Sequence, residues 1–193
     1  MKFYLVSFFF CLSGLYAQTP ALEAAKAFQQ ALDSAYLNPE KSVLSEADFA
    51  DFEGLEFYPL DEKYIVEATF VRTPDAAPFF MQTTTTRRPV YVKYGEAHFQ
   101  IAHRNFVLSL YLQKNSDSKA LFLPFTDLTN GDGSYAGGRY LNVPIPKDDT
   151  LVIDFNQAYN PYCVYNPRYS CPIPPLENDL QIRIEAGVKD FVK

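Results

Sequence analysis

The sequence has 193 residues, a formal net charge of −6, and 17 Phe and 14 Tyr but no Trp. The acidic balance argues against nucleic-acid binding, which requires a basic surface. The length suits one domain, and the many aromatic side chains indicate a sheet-rich core.

The N-terminus has the pattern of an export signal. Lys2 precedes the apolar run 3–12, and Ala17 supplies a small residue at a cleavage site. The apolar run is shorter than the roughly 20 residues that a membrane span needs. We therefore predict that 1–17 form a signal peptide. The remaining 18–193 would form one domain, periplasmic or extracellular, with no membrane attachment after cleavage. An N-terminal membrane anchor is the alternative.

Two helical segments come next. A helix is predicted from Ala21 to Asn38, where it ends because a residue before proline avoids helical backbone angles. A short helical turn is predicted from Ser45, a good N-cap residue, to Asp51. The first helix should pack on the domain through an apolar stripe. That stripe consists of Ala24, Phe28, Leu32 and Ala35.

Beyond the helices, apolar residues recur at every second position, which is typical of half-buried antiparallel strands. Hairpin turns are predicted at 94–96 and 103–105, and a further strand at the four threonines 83–86. Eight or nine strands with one N-terminal helix predict a mainly β fold. The expected form is an antiparallel sandwich or a partly closed barrel. The alternating runs are 64–70, 90–94, 99–101, 108–112, 151–155 and 181–186.

The polar segment 127–134 follows the central strands. Its carboxylates and glycines are out of step with a calcium loop, so we predict a tight turn there. The two glycines after it allow another strand or a ligand to approach closely, and Arg139 offers a fixed cation. His98 and His103 are an odd number of positions apart and would lie on opposite strand faces. We predict neither a metal site nor another cofactor.

Asp154 and Asn156 share the polar face of a late strand, and this face is expected to point toward the loop that contains Tyr159 and Asn160. An ion pair between Asp154 and Arg139 would either brace this loop or orient a polar ligand.

The cysteines are a further candidate site. Export would remove Cys11 and leave Cys163 and Cys171. An even pair in an oxidising compartment favours a disulfide, which would contribute roughly 2.5 kcal/mol for so short a loop. A redox or metal role and a thiolate nucleophile are the alternatives. The proline-rich segment 171–178 should form an extended strap.

Several segments together resemble one family. The runs FTDLTNGDGSYAGGRYL, DFNQAYNPYC, CPIPPLEN and IRIEAG follow in this order, after FEGLEFYPLDEKY and RRPVYVKYGEAHFQI. They resemble the bacterial and archaeal domain-of-unknown-function family 1684 over nearly all of 18–193. The resemblance implies no reaction. It also makes an obligatory disulfide less secure if members without export signals keep both cysteines. The matching residues are Asp127, Thr129, Tyr135, Gly138, Arg139, Asp154, Asn156, Tyr159, Asn160, Cys163, Cys171, Pro172 and Asn178.

The sequence thus predicts an exported module that binds a small polar or anionic ligand through its C-terminal loops. One alternative is a hydrolase or thiol-dependent enzyme that uses Asp127, Arg139, Asp154 and Cys163, and the other is a structural domain without a site. The candidate ligand-binding residues are Asp127, Thr129, Tyr135, Arg139, Asp154, Asn156, Tyr159 and Asn160.

Overall fold

The computed structural model describes residues 19–191. The predicted signal peptide, its cleavage site after Ala17 and Cys11 lie outside the described residues. Within the described part, no helix combines the length and the apolar composition that crossing a membrane requires.

The N-terminal helix is present as α1, Pro20–Leu37, with proline in its first turn, where the missing N–H costs nothing. The second predicted turn is the short helix α2, Glu46–Ala50. Ser45 caps α2 by accepting a hydrogen bond from the backbone N–H of Asp48 at 3.1 Å.

The buried face of α1 differs from the predicted stripe. Ala24 is exposed, whereas Ala25 and Tyr36 are buried. Two polar residues anchor this rotated face to loops. Gln29 Nε2 donates to a backbone carbonyl at 2.8 Å, and Asp33 Oδ1 accepts from a backbone N–H at 2.7 Å. The apolar pattern alone placed the stripe about one position away, because it gave these two hydrogen bonds no weight.

The strands form one curled sheet, a half-barrel, in the order β6-β5-β4-β3-β1-β7. All pairs along this path are antiparallel; β2 joins β3 antiparallel, and β8 joins β5 in parallel. The mainly β, partly closed architecture with an N-terminal helix is confirmed. The strands are β1 Ile65–Arg72, β2 Phe79–Phe80, β3 Val90–Ile101, β4 Arg104–Gln113, β5 Ala120–Asp127, β6 Arg139–Pro144, β7 Thr150–Asp154 and β8 Asp179–Leu180.

The turn predicted at 94–96 is wrong, because β3 runs through it as a single strand. A β-bulge shifts the pairing register with β4 between Lys93 and Gly95. Glycine is needed here, since a Cβ at Gly95 would lie 2.5 Å from the Phe70 ring and 2.7 Å from the Val71 carbonyl oxygen. The turn predicted at 103–105 is close to the observed β3–β4 turn at Ala102 and His103.

The bulge decides which side chains of β3 reach the core. Tyr91 and Phe99 are an even number of positions apart, yet they belong to different hydrophobic clusters. Phe99 packs inside the curled sheet, whereas Tyr91 packs with Met81 and Tyr111 on what we call the outer face. An extra residue in a strand reverses the side to which the following side chains point. Side chains of β3 therefore pack into clusters on both faces of the sheet.

The proline-rich strap 171–178 covers part of the outer face. The prediction of an extended strap is wrong for its last three residues, because Leu176–Asn178 form a 3-10 helix. Tyr140 donates from its hydroxyl to the Pro172 carbonyl, and Tyr111 donates to Glu177 Oε1 at 2.8 Å. Extended backbone without donors suits this role, because the strap has few N–H groups to satisfy.

The strap ends at Asn178, whose side chain is fully buried between β4 and β5. Its amide accepts from Ser109 N–H at 2.8 Å and donates to the carbonyls of Ser109 and Pro124 at 2.9 and 2.7 Å. Only one residue pair, Tyr111 with Phe122, defines the register between these two strands. The amide therefore replaces ladder hydrogen bonds where the strands separate.

Two predicted strands are wrong. The run 181–186 is irregular, although Ile184 and Ala186 are buried in the core. Its backbone groups bond to the side chains of Arg139 and Asp127 instead of to another strand. The threonines 83–86 form a bend with one isolated bridge, to Pro172. The alternation at 181–186 indicated which side chains are buried, and the threonines indicated a residue type common in strands. Neither pattern indicates which groups the backbone hydrogen-bonds to.

Candidate functional site

Arg139 and Asp127 form a fully buried ion pair. Asp127 is the last residue of β5, Arg139 is the first of β6, and these strands are adjacent. Arg139 Nη2 lies 2.7 Å from Asp127 Oδ2, and both side chains are 0% exposed. Arg139 therefore pairs with Asp127 and not with Asp154, the partner considered from the sequence.

The other polar atoms of this pair hold the C-terminal segment. Arg139 donates to the carbonyls of Ile184 and Ala186 and, at 3.3 Å, to Thr129 Oγ1. Asp127 Oδ1 accepts from the N–H groups of Thr129 and Ile184 at 2.8 and 3.1 Å. We call Asp127, Thr129 and Arg139, with the segment 184–188, the buried brace. Apart from Arg139 Nε, which is buried without a hydrogen-bond partner, the side-chain polar atoms of Asp127 and Arg139 bond to protein groups. We therefore interpret the brace as a structural element.

A second polar cluster fixes the end of β7. Asn156 is fully buried, and its amide bonds to both backbone groups of Asp61 at 3.0 Å. Asp154 Oδ1 accepts from the Asn156 N–H and side chain. Asn160, also buried, donates to the Lys189 carbonyl at 2.8 Å. These three candidates also satisfy loop backbone, as buried loops require.

The eight candidate residues do not converge on one cavity. Asp127, Thr129 and Arg139 lie in the buried brace, whereas Asp154, Asn156 and Asn160 hold loops elsewhere, as described above. Tyr135 is half-buried, and its pKa is raised by burial and by the nearby Cys163 and Cys171. Of the eight, Tyr159 lines the cavity described next.

That cavity, the tyrosine pocket, has a volume of about 240 Å³ and opens on the outer face. Its floor comes from β3, β5, β6 and the loop after β7. Its wall comes from the loop 161–172. The floor is Tyr91, Phe122, Tyr140 and Tyr159; the wall includes Pro161, Tyr162, Tyr169, Ser170, Cys171 and Pro172; and Arg87 stands at the rim.

The floor rings form a continuous series. Ring centroids are 5.8 Å apart for Tyr91 and Phe122, 4.8 Å for Phe122 and Tyr140, and 5.9 Å for Tyr140 and Tyr159. The last two contacts are edge-to-face, a favoured aromatic geometry. Tyr159 also accepts a hydrogen bond from Asn142 Nδ2 at 2.8 Å. The rings are thus held in place by one another, and the floor is preformed.

Burial sets the ionisation of the floor. It raises the pKa of Tyr159 to about 12 and that of Tyr140 further. Both phenols are therefore neutral near pH 7. Both can supply ring faces to a ligand, and Tyr159 can also donate from its hydroxyl, but neither can act as a base.

The pocket has a positively charged group, the Arg87 guanidinium, at its rim. Arg87 is exposed and donates from Nη2 to the Ser170 carbonyl at 2.9 Å. Among the ion pairs of the residues 19–191, none includes Arg87. A guanidinium without a carboxylate partner beside an aromatic floor favours an anionic or π-rich ligand.

The other large depressions have a different character. One of about 660 Å³ lies beside α2 and has acidic residues on its lining, including Asp51, Glu53 and Asp190. Another of about 840 Å³ runs along β1 and β3 and is lined by both polar and apolar side chains. Neither combines stacked rings with an unpaired cation.

The two cysteines adjoin the pocket. Cys171 is buried in its wall, Cys163 is half-buried, and both are free thiols. The Cys163 N–H donates to Cys171 Sγ at 3.1 Å. The sequence-predicted pair is therefore close in space, while the disulfide itself stays a prediction.

The contact between the thiols separates their acidities. A hydrogen bond from Cys171, with further ones from Thr84 and backbone N–H groups, lowers the pKa of Cys163 to about 7. The same hydrogen bond and burial raise the pKa of Cys171. Cys163 is thus the thiol that ionises first.

Fold and site together define a mainly β protein with a tyrosine-lined cavity next to a pair of thiols. The chain belongs to the family described as "Protein of unknown function (DUF1684)", whose match covers residues 50–189. This confirms the resemblance seen in the sequence.

The structure is similar to the solution NMR structure of an uncharacterized protein of Haloarcula marismortui. The two sequences are 30% identical, the match covers 86% of this chain and 92% of that chain, and the TM-score is 0.70. No functionally curated protein matches the sequence.

Sequence reasoning missed most of the pocket, including Arg87, Tyr91, Phe122 and Tyr140. One signal was available in β5, where the continuous run Ala120–Phe125 lacks the alternation of a half-buried strand. Such a run indicates that both faces of a strand are covered. The second face of β5 carries Phe122 in the pocket floor.

Proposed function

We propose that the protein is an exported module that binds a small polar or anionic ligand in the tyrosine pocket. The observation that carries this proposal is the preformed aromatic floor with the unpaired Arg87 at its rim. The cavity of about 240 Å³ is smaller than the typical range for drug-sized ligands, which favours a compact molecule.

The pocket suits a ligand with two chemical parts. A flat or apolar portion would lie against Tyr140 and Tyr159, whose ring edges and faces contribute contact area, and Tyr159 would add its hydroxyl. A carboxylate or phosphate would pair with Arg87, whose planar fork bonds such groups in a bidentate manner. A small aromatic or unsaturated carboxylate meets both requirements.

A binding screen tests the proposal. Small carboxylates and phosphates, with matched neutral amides, are compared by thermal shift and isothermal titration calorimetry. Arg87→Ala should weaken the binding of an anionic hit about tenfold or more, because a charged hydrogen bond contributes about 1.5–3 kcal/mol.

Arg88→Ala is the matched control. Arg88 is an exposed neighbour that bonds to backbone carbonyls and does not line the pocket. Its substitution should leave the dissociation constant unchanged. An equal loss of affinity in both variants would contradict the proposed pocket. So would a screen in which neither an anionic nor a neutral compound binds.

Export and the disulfide are part of the same proposal and rest on the N-terminal pattern and the cysteine pair. Expression of the full chain in a bacterium, followed by fractionation and N-terminal sequencing, should give a periplasmic or secreted protein that begins at Gln18. A cytosolic protein that retains Met1 would show that the proposal of export is wrong.

A thiol-dependent enzyme is the second candidate, favoured by the lowered pKa of Cys163 near the pocket. A hydrolase that uses Asp127, Arg139 and Asp154 receives no support from the geometry, since protein groups occupy these side chains. A hydrolytic activity that is lost in proportion to the alkylation of Cys163 would favour the thiol-dependent candidate. An activity that survives complete alkylation would remove it.

A further inference from the structure

The two free thiols stand at the two ends of one wall of the tyrosine pocket. Cys163 begins and Cys171 ends a loop that contributes Tyr169 and Ser170 to this wall. The rings of Tyr162 and Tyr169 lie 5.3 Å apart across the loop. Any bond between the two sulfur atoms would therefore close the wall on itself.

The thiols differ in how firmly they are held. Cys171 is tied to the neighbouring bend, because Thr84 N–H donates to its carbonyl at 2.9 Å and its own N–H donates to Thr84 Oγ1 at 3.1 Å. Cys163 lies in a single helical turn, Tyr162–Val164, and is more exposed than Cys171. The half-buried Cys163 is the more accessible of the two thiols, and the buried Cys171 is fixed beside it.

The surroundings of the pair favour one reactive thiolate. Besides each other, the groups that interact with the sulfurs include the Arg87 cation and the neutral phenols of Tyr135 and Tyr140. Thr84 and backbone N–H groups hydrogen-bond to Cys163. A partly exposed thiolate with a resolving thiol next to it is the arrangement that thiol–disulfide exchange requires.

We propose that Cys163 and Cys171 form a thiol–disulfide exchange centre that controls the tyrosine pocket, with a low-molecular-weight disulfide as oxidant. The Cys163 thiolate attacks one sulfur of that disulfide, forms a mixed disulfide and releases one thiolate. Cys171 then gives up its proton, attacks Cys163 Sγ and releases the second thiol. The two cysteines lose two electrons and two protons in total, and the small disulfide is reduced to two thiols.

The consequence for the pocket rests on the ligand binding proposed above. In the oxidised form, the link between Cys163 and Cys171 restricts the loop that carries Tyr169 and Ser170. A wall ordered before the ligand arrives lowers the entropy lost on binding. Oxidation should therefore tighten binding several-fold, and reduction should reverse the change.

The exchange itself is tested without any ligand. The purified protein is incubated with oxidised glutathione, trapped with acid and analysed by peptide mass spectrometry. The expected product lacks two hydrogen atoms and contains a linked Cys163–Cys171 peptide. Cys171→Ser should accumulate a stable glutathione adduct on Cys163, and Cys163→Ser should leave Cys171 largely unmodified because that thiol is buried.

An exposed reference thiol calibrates the reactivity. Ser116→Cys, in a solvent-exposed turn and placed in a variant with both native thiols changed to serine, supplies it. The rate of alkylation by iodoacetamide at pH 7 is measured for this reference thiol and for Cys163. Cys163 is measured both in the native protein and in the Cys171→Ala variant. The native Cys163 should react about three- to fourfold faster than the reference, since its greater thiolate fraction outweighs its lower nucleophilicity. Removal of Cys171 should abolish this advantage.

Each outcome decides a separate claim. A persistent glutathione adduct in the native protein, or equal modification of Cys171 in Cys163→Ser, overturns the exchange centre even if a ligand binds. A normal exchange with identical ligand affinity in both redox forms overturns control of the pocket. A normal exchange with no ligand found by the screen refutes the proposed binding function and leaves the exchange chemistry standing.

Discussion

The buried brace and the tyrosine pocket share two strands, β5 and β6, and serve opposite purposes. In β6, Arg139 points into the core and the next residue, Tyr140, points to the outer face. In β5, Asp127 pairs with that arginine, and Phe122 lies in the pocket floor. Charged groups are concentrated where a ligand has no access, and rings are gathered where a cavity opens.

This comparison shows how a polar motif can mislead. A buried charge must be paired and hydrogen-bonded, so it draws further polar residues around it and produces a dense motif in the sequence. A pocket needs only a few polar groups on an apolar surface. In this protein the density of polar residues marks the architecture, whereas the aromatic side chains of the opposite face mark the candidate site.

The largest expected effect comes from breaking the brace. Arg139→Ala leaves the Asp127 carboxylate buried without its cation, which should lower the free energy of unfolding by about 3–5 kcal/mol. Urea denaturation followed by circular dichroism measures the loss. The double variant Asp127→Leu/Arg139→Met should be less destabilised than Arg139→Ala, since no unpaired charge remains. A loss below about 1 kcal/mol in Arg139→Ala would mean that the brace is not a stabilising element.

The next effect concerns the strap. Asn178→Ala removes the three hydrogen bonds that join the Asn178 amide to β4 and β5. The backbone groups of Ser109 and Pro124 that bonded to it are then left unsatisfied. The free energy of unfolding should fall by about 2–4 kcal/mol, again measured by urea denaturation.

Gln181→Ala is the control for the strap, because Gln181 carries the same amide on an exposed side chain three residues further along the chain. It should change stability by less than about 0.5 kcal/mol. Similar losses in the two variants would indicate that Asn178 does not bridge the strands.

A smaller effect is expected at an ion pair near the strap. Lys93 Nζ lies 2.6 Å from Glu96 Oε1, with side chains 27% and 29% exposed. The hydrogen bond from Lys93 lowers the pKa of Glu96, so the stabilisation is present above the ordinary carboxyl pKa and is lost as the pH falls through the lowered value.

Lys93→Met tests this pair. Near pH 7 the variant should be less stable than the native protein by no more than about 1 kcal/mol, the usual upper value for pairs near the surface. The difference should shrink below about pH 4, when the carboxyl group is protonated. Denaturation curves recorded from pH 7 to pH 3 measure it, and a difference that grows toward low pH would show that Glu96 is not stabilised by Lys93.

The smallest effect on stability belongs to the pocket. Arg87→Ala should change the free energy of unfolding by less than about 0.5 kcal/mol, because the side chain is exposed, while it weakens the binding of an anionic ligand about tenfold or more. This pattern is the reverse of the one expected for Arg139→Ala. A marked destabilisation by Arg87→Ala would show that the two regions are not functionally separate.

The sequence by itself determined the features that depend on neighbours along the chain. The 3.6-residue and two-residue periodicities gave α1 and four of the eight strands within residues 19–191, namely β1, β3, β4 and β7, because the polypeptide repeats its geometry over those distances. The Ser45 cap followed from its residue type. The family motifs gave, by their order, the resemblance that the family match over residues 50–189 confirms. They also brought Cys163 and Cys171 forward as a pair, which the fold places in contact.

Tertiary structure alone decided which residues meet across the fold. The bulge at Gly95 reversed one strand face, the run 181–186 gave its backbone hydrogen bonds to Arg139 and Asp127, and the pocket drew its floor from three strands and a loop. Each outcome depends on contacts between residues far apart in sequence. Periodicity indicates only that a side chain is buried. The packed fold determines which residues that side chain contacts.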